Sequence, residues 1–252
     1  PEQTDKMMTH QRLLLVCIAL LQWQLAFSLS SLAAVKTSSA WINDNVQVWE
    51  PSVKLVGKNN AFRVLIPFSS AGGSGCDVTV EWSDPQEGAE ELVALCFEGK
   101  GQAGDAVEVL SESLRKFQSL VKMQEDGINT ATTTSFKARI VATRGSQGTK
   151  CPRWHYDHVP MRYIQALVGP GCDYVVSENG VDRLFLNQAD ECETDRINKE
   201  MVDVTVADVR QGIEGEAVIL RGVEGSDRPA VHKSPVLPWW QGRLIMTLDI
   251  AL

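Results

Sequence analysis

The sequence predicts an α+β, mainly β domain, a sandwich or small barrel with one flanking helix. Three observations predict it. Short runs of alternating apolar and polar residues recur through the C-terminal half. Turn residues separate those runs at roughly eight- to twelve-residue spacing, as in sandwiches and barrels. A single long amphipathic stretch precedes the series, which points away from repeated βαβ units.

Residues 1–40 read as a targeting region. Arg12, the apolar run Leu13 to Leu20 and the small residue Ala26 follow the order of a cleavable signal peptide, and the run is short for a membrane span. From Phe27 to Ala40 the chain is rich in hydroxyl residues and lacks acids, as transit peptides do. Together these segments resemble the bipartite plastid address of algae with secondary plastids, such as diatoms. A plain secretory signal with a polar spacer, leading to secretion or the endomembrane system, is the alternative. Residues 41–252 are then expected to form a single metal-binding, β-barrel-like domain without stable membrane insertion after processing.

Within that domain, Val46 to Trp49 alternates and Phe62 to Phe68 is an apolar run, so both read as strands. The small residues Ser69 to Gly75 read as a loop. The acid runs Glu87 to Glu91 and Asp190 to Glu193 read as solvated loops. Residues 104–123 are the clearest helix: Val107, Leu110, Leu114, Phe117, Leu120 and Val121 recur at mostly three- and four-residue steps, and Asp105 suits the cap. Thr130 to Thr143 reads as a strand, rich in Thr, Val and Ile, and Arg144 to Gly148 closes it. Further strands are expected at Arg162 to Val168, stopped by the turn Gly169-Pro-Gly171, and at Asp173 to Val176, Met201 to Val209, Glu216 to Arg221 and Arg243 to Ile250. Residues 177–200 are polar, a loop with room for a short helix.

Charge and cysteine usage exclude some functions. The formal net charge is −8, and removing residues 1–26 takes Glu2 and Asp5 with Lys6 and Arg12, so it does not change. An acidic domain lacks the electrostatic footprint of a nucleic-acid binder. Past Cys17 the cysteines are Cys76, Cys96, Cys151, Cys172 and Cys192. None forms a C-x-x-C pair, and an odd, sparse set reads as free thiols. No serine stands in a nucleophile-elbow context.

The chemistry concentrates on histidine, of which the chain has four. His10 falls in the targeting region, leaving His155, His158 and His232. In extended backbone His155 and Asp157 point to one face, so both can reach one ion while Tyr156 points away. With His232 from a distant strand they make the two-imidazole, one-carboxylate set of a facial triad, which leaves open positions on a non-haem Fe(II). The alternative for each histidine is an ordinary hydrogen-bonded, partly buried residue. Trp239-Trp240 reads as a stacking platform or as a loop packed on the core.

Two blocks carry a resemblance. Cys151-Pro-Arg-Trp-His-Tyr-Asp-His-Val-Pro-Met-Arg-Tyr with Val168-Gly-Pro-Gly171 is one; Gly215 to Gly222, Val231-His-Lys-Ser-Pro235 and Gly242 to Asp249 make the other. They resemble domain-of-unknown-function family 1826, found in bacteria and algae, with a weaker match at Asn45 to Trp49. More distantly they resemble the Fe(II)/2-oxoglutarate oxygenases, whose fold is a double-stranded β-helix (cupin-like barrel). That resemblance implies His155, Asp157 and His232 as metal ligands, Arg243 as the residue that binds the far carboxylate of 2-oxoglutarate, and a small-molecule or protein-side-chain substrate. A planar guanidinium suits that task, since it grips a carboxylate with two parallel hydrogen bonds. The alternative for Arg243 is a structural ion pair with Asp249 or another of the many acids. His158, directly after the triad carboxylate, and Cys151 are candidates for an outer shell.

A second function class stays open. The same His155, Asp157 and His232, joined by His158 or Cys151, suit Zn(II), which accepts N, O and S donors. That would make the chain a zinc-binding protein of metal homeostasis without redox chemistry. Bacterial members of family 1826 are often encoded beside zinc-responsive metallochaperone GTPases, an association that leans toward zinc.

Overall fold

Strand β10, at the end of the chain, runs through the middle of the larger sheet and organises the rest around it. A computed structural model describes residues 40–41, 45–49, 60–67, 75–98, 103–125, 135–146, 151–187 and 194–251, all within the unit Ser38–Leu252. The expected targeting region up to residue 39, the loop after Phe68, the acid run 190–193 and Cys192 lie outside the described residues. The strands are β1 (Ala40–Trp41), β2 (Val46–Trp49), β3 (Cys76–Trp82), β4 (Phe136–Arg144), β5 (Met161–Val168), β6 (Asp173–Val175), β7 (Val209–Gln211), β8 (Ala217–Arg221), β9 (His232–Lys233) and β10 (Gly242–Ile250). The helices are α1 (Asn60–Arg63), α2 (Pro85–Cys96), α3 (Ala106–Glu125), α4 (Arg183–Asn187) and α5 (Thr194–Glu200).

The strands form a seven-stranded sheet, ordered β1-β2-β8-β5-β10-β4-β3, and a three-stranded sheet, ordered β7-β6-β9. Every pairing is antiparallel. Alternation in the strands sorts their side chains between two faces. On one face Leu244, Met246 and Leu248 of β10, Phe136, Ala138 and Ile140 of β4, and Met161, Tyr163 and Leu167 of β5 form the main core with α2 and α3. On the other, Ile164, Ala166, Val218, Leu220 and Ile245 pack with Cys172 and Tyr174 of the smaller sheet. Because both faces are covered, the central strands are buried along most of their length, unlike a one-sided sheet. The fold is thus mainly β, two antiparallel sheets with helices outside, and the described strands do not form one continuous hydrogen-bonded barrel.

The long helix forms where periodicity places it. Leu110, Leu114, Phe117 and Val121 of α3 are buried, and Phe117 meets Phe136 and Tyr163 edge-on at 5.8 and 6.1 Å between ring centroids. One polar tie is buried with them: Ser113 Oγ donates to Gln165 Oε1 at 2.8 Å, and Gln165 Nε2 donates to the Gly215 carbonyl. Satisfied in this way, the amide costs little and pins the helix to β5.

Three expectations are overturned. The acid run Glu87 to Glu91 is not a loop but the middle of α2. Asp84 caps that helix by accepting from the backbone N–H of Gln86 and Glu87, Pro85 occupies its first turn, and Ala89, Leu92, Val93 and Cys96 supply a buried stripe behind the exposed acids. Residues 62–67 are not a strand. Phe62 and Leu65 are both buried because helical-turn bonds, Leu65 N–H to Phe62 and Ile66 N–H to Arg63, put three-apart residues on one side. Met201 to Val209 is not one strand: between the bridge at Val202 and the start of β7 at Val209 the chain turns, where the Asp203 carboxylate accepts from Thr205 N–H and the Asp203 carbonyl from Val206 N–H, leaving Val204 and Val206 exposed. Four of the expected thiols, Cys76, Cys96, Cys151 and Cys172, form no disulfide among the described residues, and the Cys76 and Cys96 sulfurs are in contact at 3.1 Å. No helix among the described residues is long and apolar enough to cross a membrane.

Candidate metal centre

His155, Asp157 and His232 converge. One donor atom from each lies within 4.8 Å of the others, and the two imidazole centroids are 4.4 Å apart. The backbone brings the distant pair together: His155 and His232 exchange N–H···O=C bonds of 3.0 and 2.9 Å as an isolated antiparallel bridge. His155 therefore extends the small sheet beside β9 and does not sit in a core strand. Its approach is fixed by α5, where the Asn198 amide donates to the Pro152 carbonyl and accepts from Trp154 N–H. The indole of Trp154 is buried among Ile197, Met201 and Val231.

Asp157 is held by a second contact. Val223 N–H donates to the Asp157 carbonyl and Gly222 N–H to the Pro160 carbonyl. Gly222 permits this approach, because a Cβ there would stand 2.1 Å from the Val159 oxygen and 2.5 Å from the Asp157 oxygen. At the other end of β5, Gly169 takes φ +73, and a Cβ there would lie 2.6 Å from the Gly242 carbonyl, just before Arg243.

Each ligand atom is prepared for a cation. His155 Nδ1 lies 2.8 Å from the Arg153 carbonyl, and a carbonyl only accepts, so Nδ1 carries the proton and Nε2 is left with its lone pair. Burial, then the neighbouring His232, lowers the His155 pKa to about 4, so its ring is neutral near pH 7. Burial works against the charge of Asp157, yet the His232 imidazole, Arg162 and His155 outweigh it and hold the carboxyl below its usual range. Oδ1 of Asp157 accepts from Arg162 Nη1 at 2.6 Å. Oδ2 is buried, has no hydrogen-bond donor, and lies 3.2 Å from His232 Nε2. His155 Nε2 lies 4.0 Å from the other oxygen, Oδ1. A buried carboxylate between two imidazoles, with one oxygen left over beside His232, fits a divalent metal.

The centre opens into a cavity of about 250 Å³ on the inner face of the large sheet. Arg243 lines it from β10. Its side chain is 94% buried by relative exposure of 6%, and it makes no hydrogen bond or ion pair with the described residues. Burial lowers its pKa to about 10, which leaves it charged. Opposite it on β4 stands Thr143, a buried cavity residue whose hydroxyl has no partner. The expected alternative for Arg243, an ion pair with Asp249, is not formed: residues six apart on a strand are about 20 Å from each other, and Asp249 pairs with Arg162.

Of the outer candidates, Cys151 is exposed, adopts φ +50 and lines the cavity without joining the donor group. His158 is exposed, its ring 5.7 Å from Tyr156, and is outside the group too. Trp239 and Trp240 are 74% and 61% exposed, so they are not packed on the core. Arg162 and Thr143 escaped the sequence reading. Arg162 shares the cavity-facing phase of β5 with Ile164, a signal that needs the strand's neighbours to be interpreted.

A protein-family model described as "Protein of unknown function (DUF1826)" matches residues 114–249, which include His155, Asp157, His232, Arg162, Thr143 and Arg243. No curated protein matches the sequence. Among solved structures, the chain is similar to the dioxygenase for auxin oxidation of rice, at 13% identity and a TM-score of 0.47, covering 82% of this chain and 73% of that one. It is similar to the Arabidopsis thaliana dioxygenase for auxin oxidation 1, solved as a 2-oxoglutarate complex, at 10% identity and a TM-score of 0.47, covering 84% of each chain. A third likeness is to EvdO2 from Micromonospora carbonacea var. aurantiaca, at 13% identity and a TM-score of 0.41, covering 84% of this chain and 91% of that one. Identities this low carry no activity from those proteins to this one.

Proposed function

The chain belongs to the DUF1826 family of proteins of unknown function, whose description carries no activity, and from its own site we propose that it is an Fe(II)/2-oxoglutarate-dependent oxygenase on a double-stranded β-helix. One observation carries the reading: a buried arginine without an ion pair among the described residues shares a cavity with both histidines of the two-histidine, one-aspartate group. A buried guanidinium without an acid is costly unless a ligand completes it. The carboxylate of a 2-oxo acid would do so.

His155 Nε2, Asp157 Oδ2 and His232 Nε2 would hold the metal, leaving positions open toward the cavity. Bound there with 2-oxoglutarate, Fe(II) supplies the chemistry that splits O2, one atom entering succinate as CO2 leaves and the other oxidising the substrate. Arg243 would bind and orient the far carboxylate of the 2-oxo acid, with the Thr143 hydroxyl as a further donor. Ile164 and Ile245 form part of the cavity wall and limit its water. Val141, Thr79 and Thr247 line it too, with charged Lys137, Arg139, Lys233 and Asp249 also on its wall, which leaves room for a small molecule or a single protein side chain. A plastid address, with secretion as the alternative, remains the proposal for its location.

The zinc alternative accounts for the donor group but not for Arg243. Binding measured without oxygen separates the two. Wild-type protein is expected to bind one Fe(II), and then 2-oxoglutarate, and to release succinate when oxygen is admitted. Asp157→Ala should abolish metal binding, whereas Arg243→Met should keep the metal and weaken 2-oxoglutarate about 10- to 100-fold, the loss expected for a charge-assisted pair. Tight zinc with no 2-oxoglutarate binding in the wild type would overturn the oxygenase reading.

A further inference from the structure

A row of charges crosses the large sheet on its cavity face. Glu81 on β3 lies opposite Lys137 on β4, Lys137 opposite Asp249 on β10, and Asp249 opposite Arg162 on β5. Signs alternate along it, as cross-strand neighbours on one face favour. Lys137 Nζ is 3.5 Å from Glu81 Oε1. At the other end Arg162 takes both oxygens of Asp249, Nε donating to Oδ1 at 2.7 Å and Nη2 to Oδ2 at 2.8 Å. Its remaining terminal nitrogen, Nη1, donates to Oδ1 of Asp157 at 2.6 Å.

The guanidinium is planar and rigid, so once two of its arms are held by Asp249 the direction of the third is set. That third arm lands on one oxygen of Asp157 and leaves the other, Oδ2, buried, without a donor and facing His232. From this division of one carboxylate we infer that Arg162, aimed by Asp249, is a positioning residue that assigns Oδ2 of Asp157 to the metal and keeps the carboxylate a one-oxygen ligand. The inference rests on the metal-site reading above and adds a role that the donor group does not reveal. A lysine would keep the charge but lose the fork, so it would not replace the arginine.

Charge and geometry make opposite predictions here, which gives the test its power. A cation beside the site repels a divalent metal, so if charge dominated, its removal would tighten binding. If aiming dominates, removal frees the carboxylate to rotate, and binding weakens by about 10- to 100-fold, as for other partners that orient metal ligands. The experiment is Co(II) titration of the full chain, followed by affinity and by the visible Co(II) bands, for wild type, Arg162→Gln, Arg162→Lys and Asp249→Asn. Thermal unfolding of each metal-free protein reports folding. The expected result is weaker binding and shifted bands in Arg162→Gln, no rescue by Arg162→Lys, and a smaller loss in Asp249→Asn, which keeps the arginine but frees its plane. Should Arg162→Gln fail to fold, Arg162→Lys carries the test, because it keeps the charge and loses the fork, so that weaker binding there can only come from lost aiming. Wild-type binding with variants that bind as tightly or more tightly, with unchanged bands, overturns this inference and leaves the metal site standing; a wild type that binds no Co(II) overturns both.

Discussion

Arg243 and His155 show how single residues here trade stability for readiness. An arginine only 6% exposed, with Asp173 near enough to act on its charge but no ion pair among the described residues, destabilises the free protein by keeping a charge in a poor environment. Arg243→Met is therefore expected to raise the melting temperature of ligand-free protein by a few degrees, on the order of 1–2 kcal/mol, while losing 2-oxo acid binding; differential scanning calorimetry would register it. His155 acts through protons. Its pKa falls from 6.5 to about 4 on folding, so between those values the unfolded chain binds more protons than the folded one. Stability of the metal-free protein should be complete above about pH 6.5 and fall as pH drops toward 4. Urea unfolding across that range should show the slope in the wild type and a shallower one in His155→Gln. Metal affinity of the folded protein should fall only as pH approaches about 4, where protons begin to compete for Nε2.

At the scale of elements, the site depends on segments that are not regular structure. His155 enters through a single bridge, and Asp157 stands in the connection before β5, clamped from behind by Gly222. In Gly222→Ala the new Cβ would meet two backbone oxygens, which cannot yield as a flexible side chain does. The expected cost is about 1–3 kcal/mol, with loss of metal affinity beyond that of fold stability as Asp157 shifts. Comparing metal titration with denaturant midpoints would separate the two effects. The sheet itself would persist, since β10, β4 and β5 have their own core against α3.

For the whole molecule, the consequence is linkage between metal and fold. The ligands come from the segment before β5 and from β9, with β5, β6, β7 and β8 lying between them in the chain, so the site exists only when both sheets are assembled. A metal bound to the native state alone should stabilise it by about 2.7 kcal/mol at a hundredfold excess over its dissociation constant. The melting temperature should therefore climb with added metal in the wild type and stay flat in His232→Ala. An equal rise in both would place binding elsewhere.

What the sequence determined by itself is local or periodic. Alternation located β2 and β5, and apolar runs between turn residues located β6, β8 and β10, because a strand buried on one face needs apolar residues every second place and one buried on both needs a run of them. Three-and-four spacing located α3 for the same kind of reason. The scarcity of histidine and the two-residue step from His155 to Asp157 marked the ligand set before any fold was known. Where a signal was present but read for its charge, as in α2, the cap at Asp84 and the buried stripe outweighed the acids. Only the tertiary structure decided pairings between distant residues. Asp249 stands near Arg243 in the chain but beside Arg162 in the sheet, and Thr143 reaches Arg243 only through the register of β4 with β10. Strand order and register follow from the joint packing of all strands and helices, and no spacing within one segment encodes them.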